Sequence, residues 1–594
     1  MARDTSLSLR ADLDTGTYAE SDAVLAALIE IANLSAQDRC EITAKAAGLV
    51  RDIRGTTSPG LMEVFLAEYG LSTDEGVALM CLAEALLRVP DAETMDALIE
   101  DKIAPSDWGR HLGHSTSTMV NASTWALMLT GRVLDDEQPG PVRHLRAAIK
   151  RMGEPVIRTA VARAMKEMGR QFVLGEDIKA AMKHAAGMEA KGFTYSYDML
   201  GEAARTEADA RRYHLSYSDA ISSIAKGCTH DDIRKNPGIS VKLSALHPRY
   251  EVAQEASVMK DLVPRLRALC LLAKSAGMGL NVDAEEADRL GLSLDVINTV
   301  MSEPALSGWD GFGVVVQAYG PRAGAAIDAL YDMATRHDRR IMVRLVKGAY
   351  WDTEIKRAQV EGVDGFPVFT RKAATDVSYI ANARKLLSMT DRIYPQFATH
   401  NAHTVAAVLH MGQDKELYEF QRLHGMGETL HNIVLDQHKS RCRIYAPVGA
   451  HKDLLAYLVR RLLENGANSS FVNQIVDEDV APEVVAADPF SKLEESIPTI
   501  PHGPEIFGPQ RVNSRGFDLT HTPTLEALEA ARAPFATATW TATPIIVGGT
   551  KGSDAQKVQN PTGGTSPGVV HNATTADVAA ALDAAKPWDA PLAT

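Results

Sequence analysis

Two adjacent arginines lie within an otherwise apolar stretch, "LLAYLVRRLLEN" at residues 454–465. The apolar residues recur at helical spacing, and residues three and four apart share one face of a helix. Tyr457, Arg460, Arg461 and Glu464 therefore lie close together on the predicted helix. Two fixed positive charges, an acid and a phenol on one face of an otherwise apolar helix indicate a chemical role, which the helix alone does not identify.

A second set of candidate functional residues lies at the ends of short stretches of apolar or β-branched residues, which we call runs. There are eight such runs after residue 190, and helical stretches alternate with them. Eight β-then-α units in just under 300 residues predict a (β/α)8 barrel. A doubly wound open sheet is the alternative, although eight near-equal units favour closure. The runs span 193–199, 239–245, 280–285, 312–319, 340–346, 395–401, 418–424 and 442–448.

Residues at the carboxyl ends of barrel strands form the active site in this architecture. The ends of the runs are unusually rich in polar and aromatic groups. Lys242 and Arg344 lie within apolar strands, so each needs a partner for its charge. The candidates at the strand ends are Asp198, Glu202, Lys242, Asp283, Glu285, Glu286, Gln317, Tyr319, Arg344, Lys347, Gly348, Tyr350, Trp351, His400, Asn401, His403, Gln421, His424 and Tyr445.

Taken singly, several of these residues allow more than one interpretation. Lys242 could form a Schiff base, anchor a charge, or simply pair with Asp283 or Glu202 in the core. His400 and His403 with Asp283 could hold a metal, although their spacing is not diagnostic. Neither a G-x-G-x-x-G nor a Walker A motif occurs, so barrel loops and helix N-termini would have to hold any nucleotide cofactor.

Composition restricts the class of protein. The chain has 594 residues and a formal charge of -14, which predicts no general attraction to nucleic acid or anionic lipid. The five cysteines are widely spaced and form no C-x-x-C, which indicates a reducing compartment. No apolar signal core opens the sequence and no run of 18 apolar residues occurs, so we expect a cytoplasmic protein.

Five motifs resemble the proline dehydrogenase family, in the form of the flavin barrel of bacterial proline utilization A. The resemblance implies bound FAD and oxidation of L-proline to Δ1-pyrroline-5-carboxylate by hydride transfer to flavin N5. It also implies ubiquinone or menaquinone as acceptor, in the first step of proline catabolism to glutamate. The motifs are "VRLVKGAYWDTEIKRAQ" (343–359), "YPQFATHNAHT" (394–404), "YEFQRLHGMGE" (418–428), "RIYAPVG" (443–449) and "YLVRRLLENGANSSFVN" (457–473).

The resemblance assigns roles to residues one by one. Arg460 and Arg461 would bind the substrate carboxylate with Lys242, and Asp283 would lie near the substrate nitrogen. Glu464 and Glu202 would pair with the arginines. The apolar walls of the substrate site would be Tyr350, Leu423, Tyr445 and Tyr457. Arg344 would lie near flavin N5, and the further flavin contacts would be Ala284, Gln317, Lys347, Gly348, Ala349, Trp351, Thr370, Thr399, His400 and Gln421. Asp283, Arg344 and Lys242 would be the catalytic residues, and no metal is expected.

The pattern along the chain, together with the resemblance, predicts the domains. We expect an N-terminal arm at 1–50, which the family uses for oligomerisation, a helical domain at 51–190 and the FAD-binding barrel at 191–475. A proline-rich linker at 476–519 would follow. Residues 520–594 resemble only the start of an aldehyde dehydrogenase. The full-length protein would then also be an L-glutamate-semialdehyde dehydrogenase, a step that this chain would not perform.

The resemblance also bears on partners. Some family members begin with a ribbon-helix-helix DNA-binding domain, whereas this chain begins at the later arm, so we expect no nucleic acid. A homo-oligomer and a peripheral contact at the inner membrane are left open. The rival interpretations are a metal-dependent or Schiff-base barrel enzyme, and a non-enzymatic scaffold that docks partners through the helical N-terminal region.

Overall fold

A computed structural model describes residues 13–56, 173–449, 471–476, 479–493, 495, 500–549 and 552–586. The chain divides into two compact units, Met1–Thr520 and His521–Thr594, which are considered separately. The helical domain predicted at 51–190 lies largely outside the described residues.

The first unit is built around a closed barrel of eight strands. All neighbouring strands are parallel, and the last strand pairs with the first from Thr194↔Arg443 to Met199↔Val448. The predicted (β/α)8 barrel is therefore confirmed, and the open-sheet alternative is wrong. The strands are β1 Thr194–Met199, β2 Gly238–Val241, β3 Leu280–Val282, β4 Phe312–Gln317, β5 Ile341–Val346, β6 Ile393–Ala398, β7 Glu419–Leu423 and β8 Cys442–Val448.

Helices precede the barrel, connect its strands and follow it. Before β1 lie α1 Ser21–Ala32, α2 Ala36–Arg54 and α3 Ile178–Glu189. Between the strands lie α4 Glu207–Ile224, α5 Glu255–Ser275, α6 Leu290–Met301, α7 Ala323–Arg336, α8 Trp351–Glu361, α9 Lys372–Leu387, α10 Ala402–Met411 and α11 Glu428–His438. After β8 come α12 Phe471–Val476, α13 Pro482–Val485 and α14 Pro489–Lys492.

Several of the helices between strands are amphipathic, and α7 shows how such a helix attaches to the sheet. Its alanine-rich sequence favours a helix, and Ala326, Leu330 and Met333 recur three and four residues apart. These side chains are buried against the barrel, and Asp328 and Asp332 on the other face are exposed. Burial of a leucine-sized side chain contributes about 1.5–3 kcal/mol. The apolar stripe therefore holds the connecting helix against the outside of the sheet.

The N-terminal helices are folded onto the barrel. Helix α1 packs against α9, and α2 packs against α10. A capping box between Ser35 and Asp38 starts α2. At its other end Arg54 donates hydrogen bonds to the carbonyls of Gln474, Ile475 and Val480. The described part of the predicted N-terminal arm is thus helical and joined to the segment after the barrel.

Among the described residues after the barrel, α13 packs against α2 and α14 packs against α9, whereas the stretch around residues 501–505 packs against helix α8. The ring of His502 stacks on Phe366 with centroids 4.9 Å apart, and Gln359 donates to the carbonyl of Pro501 at 2.8 Å. A Cβ added at Gly503 would lie 2.4 Å from the carbonyl oxygen of Gln359. This approach therefore requires glycine. The interpretation of 476–519 as a linker stays a prediction.

The second unit is small. It contains α15 Thr522–Arg532, β9 Trp540–Ala542, β10 Gln556–Lys557, β11 Gly568–Val570 and α16 Thr575–Ala584. The strands form a sheet in the order β10-β11-β9. The likeness of this unit to the start of an aldehyde dehydrogenase stays a prediction. Within the described ranges of the whole chain, no helix is long and apolar enough to cross a membrane.

A polar network fills the lower part of the barrel interior. The carboxylate of Glu419 is fully buried and accepts hydrogen bonds from Gln396, Gln421 and Arg443 at 2.8 to 3.3 Å. Asn281 extends the network from β3 by donating to Gln396 at 2.9 Å. A buried charge is tolerated only when its hydrogen bonds are satisfied, and here side chains from several strands satisfy it.

We expect Glu419→Leu to lower the free energy of unfolding of the barrel by about 3–5 kcal/mol, because Arg443 would lose its buried counter-charge. The double variant Glu419→Leu, Arg443→Met should recover most of that loss. Chemical denaturation followed by circular dichroism measures both. Glu416→Leu is the control, because Glu416 pairs with Arg441 at an exposed site, where ion pairs contribute about 0–1 kcal/mol. Equal losses in Glu419→Leu and Glu416→Leu would contradict the structural role of the buried pair.

Candidate active site

The carboxyl ends of the strands bring four of the predicted site residues together at the barrel mouth. Lys242 Nζ lies 3.2 Å from Asp283 Oδ2 and 3.3 Å from Tyr445 Oη. Tyr445 donates to Asp283 Oδ2 at 2.8 Å, and Arg344 Nη1 donates to Asp283 Oδ1 at 3.0 Å. The Arg344 guanidinium also lies over the Tyr445 ring, 5.1 Å from its centroid. Asp283 is therefore the centre of this group, contacted by the other three residues.

Asp198, a strand-end candidate to which the resemblance assigned no role, completes the charge balance of the group. Its Oδ1 lies 2.7 Å from Lys242 Nζ, closer than Asp283, and its side chain is fully buried. The mouth thus holds two cations, Lys242 and Arg344, against two carboxylates. The signal in the sequence was the position of Asp198 at the carboxyl end of β1, where barrel strands place the residues of an active site.

Two buried serines fix the guanidinium of Arg344. Its Nη2 donates to Ser196 Oγ at 3.2 Å and to Ser240 Oγ at 3.1 Å. These contacts run across the barrel from β5 to β1 and β2. Sequence reasoning missed both serines, because serine inside a strand carries no distinctive pattern. They leave Arg344 in one orientation, aimed along the barrel mouth.

The pairing keeps the protonatable groups of the mouth in defined states. Burial by itself would lower the pKa of Lys242, but Asp198, Tyr445 and Asp283 outweigh it and hold that pKa well above its ordinary value. Burial raises the pKa of Tyr445, and Asp198 and Asp283 raise it further. Lys242 is therefore an ammonium and Tyr445 a neutral phenol at physiological pH.

The loops after β4, β5, β6 and β7 carry the residues predicted to contact a flavin. Gln317 Nε2 donates to the carbonyl of Glu285 at 2.8 Å, and Trp351 Nε1 donates to the carbonyl of Phe369 at 2.8 Å. His400 Nε2 accepts the backbone N–H of Leu423 at 3.0 Å, so this ring nitrogen is not protonated. Hydrogen bonds to backbone groups therefore fix the orientation of the Gln317 amide, the Trp351 indole and the His400 imidazole.

The remaining predicted residues line the same loops. Lys347 forms an ion pair with the buried Asp376, which Lys372 also contacts at 2.8 Å. Burial would raise the pKa of Asp376, but the two lysines outweigh it and hold that pKa below its usual range. Thr399 and Gln421 are buried. Glu202, Ala284, Ala349, Tyr350, Thr370 and Leu423 are half-buried in the loops or at strand ends.

Gly348 determines the path of the loop after β5. Its φ is +145°, a conformation that residues with a side chain rarely adopt. A Cβ at this position would lie 2.4 Å from the ring of Tyr319. Glycine therefore lets the backbone pass directly over a buried tyrosine before it reaches Tyr350 and Trp351.

The paired arginines to which the resemblance assigns the substrate carboxylate, Arg460 and Arg461, lie outside the described residues. The same is true of Tyr457 and Glu464 on the same predicted helix. Their roles stay predictions.

The geometry does not support the rival enzyme classes. Lys242 is held as an ammonium by two carboxylates, whereas a Schiff-base lysine must present a neutral amine. His400 is bonded to loop backbone, and burial lowers the pKa of His403 to about 4, which leaves it neutral. No group of three or more histidine, cysteine or acidic side chains that could hold a metal is found in the part of the chain that the structure describes.

Comparison with known proteins identifies the family. A family model described as "Proline dehydrogenase" matches residues 181–474, which include the whole barrel. Residues 181–474 form a barrel of the proline dehydrogenase family. The resemblance drawn from the five motifs is therefore confirmed.

Long relatives of the family match most of the chain. The "Bifunctional protein PutA" of Salmonella typhimurium is 50% identical over 550 residues, which is 89% of this chain and 42% of that protein. The protein of the same name from Rhizobium meliloti is 50% identical over 548 residues, 90% of this chain and 44% of the relative. A crystal structure of a mutant proline utilization A from Bradyrhizobium japonicum is 48% identical with a TM-score of 0.68, and the match covers 89% of this chain and 53% of that one. The chain thus spans about half, or less, of the length of these relatives.

A second family model bears on nucleic acid. It is described as "DNA-binding domain of Proline dehydrogenase" and matches residues 61–172, which lie outside the described residues. The expectation that this chain binds no nucleic acid is not tested by that match and stays a prediction.

We expect Gly348→Ala to destabilise the barrel by more than the roughly 1–3 kcal/mol that a strained backbone conformation costs, because the added methyl also meets the Tyr319 ring. Gly308→Ala is the matched control. Gly308 has φ +74°, and an added methyl group there would meet nothing within 4 Å, so its replacement should report backbone strain alone. Thermal unfolding measures the difference, and equal melting temperatures would show that the Tyr319 contact is unimportant.

Proposed function

We propose that the barrel is an FAD-dependent L-proline dehydrogenase that forms Δ1-pyrroline-5-carboxylate. The observation that carries the proposal is the family match over 181–474, in a barrel whose mouth brings Lys242, Asp283, Arg344 and Tyr445 together. These are the residues that the resemblance assigns to substrate and flavin. Electrostatic complementarity to a zwitterionic amino acid supports it further, because fixed cations and a carboxylate lie within hydrogen-bonding distance of each other.

The mouth also suits a bound ring that carries both hydrogen-bond donors and hydrogen-bond acceptors. Arg344 Nε and Gln421 Oε1 are buried, and neither has a hydrogen-bond partner among the described residues. Buried polar atoms are nearly always paired, so an unpaired donor and an unpaired acceptor fit a bound heterocycle such as isoalloxazine. Gln317, Lys347 to Ala349, Trp351, Thr370, Thr399 and His400, with Ala284, would hold the rest of the cofactor.

When bound, FAD supplies the two-electron acceptor to which proline C5 gives up a hydride at N5. The chain itself supplies binding, orientation and charge. Lys242, with Arg460 and Arg461, would hold the substrate carboxylate, and two carboxylate contacts fix the orientation of the ring. Leu423, Tyr350, Tyr445 and Tyr457 would enclose its apolar side, with Glu202 and Glu464 paired to the arginines.

Asp283 and Arg344 would act at the reacting atoms. The Asp283 carboxylate would lie against the substrate nitrogen, where it favours the positive charge that develops as the C–H bond breaks. Arg344, fixed by Ser196 and Ser240, provides positive charge where negative charge arrives. A pre-positioned group stabilises such charge without reorganisation, and this is the form of stabilisation that raises a catalytic rate.

The wider proposals rest on the resemblance. They are ubiquinone or menaquinone as the electron acceptor, a peripheral contact with the inner membrane, a homo-oligomer, and a cytoplasmic location. Oxidation of L-glutamate semialdehyde would belong to the longer protein, as the word "bifunctional" in the names of the relatives suggests.

The purified protein tests the proposal directly. We expect a yellow protein with flavin absorption bands that bleach when L-proline is added without oxygen, since proline would reduce the bound flavin. D-proline is the control, because the carboxylate and C5 cannot both be placed correctly for the other enantiomer. A colourless protein that contains metal would instead support a metal-dependent barrel, and a protein with neither group would support a scaffold.

We expect Arg344→Ala to slow flavin reduction by about 10²–10³-fold, comparable to the loss of an oxyanion-hole donor, with a smaller change in the affinity for proline. The reason is that Arg344 stabilises charge in the transition state, whereas other cations would bind the substrate carboxylate. Stopped-flow absorbance under anaerobic conditions measures the rate and its dependence on proline concentration.

Arg340→Ala is the control for this variant. Arg340 directly precedes the same strand, at the opposite end of the barrel, and is exposed. A variant Arg344→Ala that melts early yet reduces its flavin at the normal rate would show that Arg344 only neutralises Asp283.

A further inference from the structure

Glu354 is a buried carboxylate that the proposed chemistry does not use. It lies in the first turn of α8, directly after Tyr350 and Trp351, and only 3% of its surface is exposed. The neighbouring acid Asp352, in the same turn, is exposed. Burial of a carboxylate is costly, so its position calls for a specific contact.

The contact of Glu354 is with another loop of the barrel mouth. Its Oε1 accepts the backbone N–H of Ala287 at 2.7 Å. On the opposite side of the same residue, Arg322 Nη2 donates to the carbonyl of Ala287 at 2.6 Å. One residue further on, Asp288 forms an ion pair of 2.8 Å with Arg357, which is also on α8. Ala287 is therefore held on both sides, and α8 provides two of the three contacts.

Ala287 belongs to the loop that carries Asp283. This loop runs from the end of β3 to α6, and Asp283 and Ala284 begin it. Gln317 adds a hydrogen bond to the carbonyl of Glu285 at 2.8 Å. The loop after β5, which carries Tyr350 and Trp351, leads directly into Glu354. One carboxylate thus connects the two loops.

We propose that Glu354 is a positioning residue that sets the distance between the loop of Asp283 and the loop of Tyr350 and Trp351. The inference rests on the proposed function, since the first loop would then contact the substrate nitrogen and the second the substrate ring and the flavin. Hydride transfer is sensitive to small displacements, so loops that shift relative to each other lower its rate.

The electrostatic surroundings of Glu354 give this role a pH signature. Burial raises the pKa of Glu354 to about 7, the hydrogen bond from Ala287 opposes the rise, and Asp288 and Glu286 add to it. Arg357 faces the carboxylate as well and lowers the pKa, and Arg322 and Tyr319 also lie near it. Because the folded-state pKa exceeds the ordinary value of 4.5, the folded state binds the proton more tightly than the unfolded state does.

The raised pKa of Glu354 makes the stability of the folded state depend on pH. The stability that the protonated group provides is present at low pH and is lost as pH rises from about 4.5 to about 7. The hydrogen bond to Ala287 changes in the other direction, because an ionised acceptor makes the stronger bond. Positioning by Glu354 therefore predicts that the rate of flavin reduction rises through pH 7 while this group's contribution to stability falls. A purely structural role predicts no such rise in rate.

The test weakens the hydrogen bond from one side and removes it from the other. Glu354→Gln keeps the shape and an acceptor oxygen but removes the charge that strengthens the bond. Ala287→Pro removes the N–H, at the first residue of the 3-10 turn Ala287–Arg289, where proline is tolerated. Glu286 has φ -61° and ψ 154°, which suits a residue before proline. Asp352→Asn is the matched control, since it removes a carboxylate from the same turn of α8 without touching the loop.

We expect each single variant to reduce its flavin about tenfold more slowly at saturating proline, with flavin content unchanged. One variant loses the charge on the acceptor and the other loses the donor of the same hydrogen bond. The double variant should be no slower than either single one. The step in rate near pH 7 should disappear in Glu354→Gln, and Asp352→Asn should match the unaltered protein. Hydrogen exchange read by mass spectrometry should be about tenfold faster in residues 283–289 of Glu354→Gln, because the weaker hydrogen bond opens more often and then exposes the backbone.

Several results would overturn the inference. Additive losses in the double variant would show that the two residues act separately. Unchanged exchange in 283–289 with a slower rate would show that Glu354 acts by another route, and failure of both single variants to fold would make it a structural residue. If proline does not reduce the flavin of the unaltered protein, the proposed function is wrong, whereas hydrogen exchange still decides whether Glu354 holds the loop.

Discussion

The constraint on which this structure depends is charge compensation inside a closed barrel. Eight parallel strands form a cylinder from which water is largely excluded, and charged side chains inside it must find partners there. At the mouth, Lys242 and Arg344 are balanced by Asp198 and Asp283, which all lie within about a hydrogen-bond length of a partner. The balance lets the barrel keep fixed charges where a zwitterionic substrate would bind.

The barrel separates stability from chemistry along its axis. Glu419 and Arg443 form a buried network in the lower half, and it joins strands that are distant in sequence. Gln421 links this network to the mouth, because it donates to Glu419 while its Oε1 is proposed to face the cofactor. A change of Lys242 or Asp283 at the mouth removes no side chain from the lower network, and such independence lets one barrel architecture serve many chemistries.

The loops, and not the strands, decide how the two halves of the proposed site face each other. The loop after β5 passes over Tyr319 because Gly348 has no side chain, and it then enters α8. From α8, Glu354 and Arg357 reach back to the loop after β3. Asp283 and Trp351 thus belong to one connected set of contacts, although 68 residues separate them in sequence.

Local patterns in the sequence determined the strands, the barrel and many residues of the mouth. A strand needs only a few residues of alternating or apolar character, and its carboxyl end follows from its direction, so Lys242, Asp283, Arg344 and Tyr445 could be identified without coordinates. Their motifs also identified the family. Only the tertiary structure decided which partners these residues have, namely Asp198 for Lys242 and Ser196 and Ser240 for Arg344. It alone also decided that Glu354 accepts a hydrogen bond from the backbone of Ala287. Such pairs depend on the register between strands and on how far each loop reaches across the barrel, and these quantities are set by the packing of the whole chain, which no local pattern encodes.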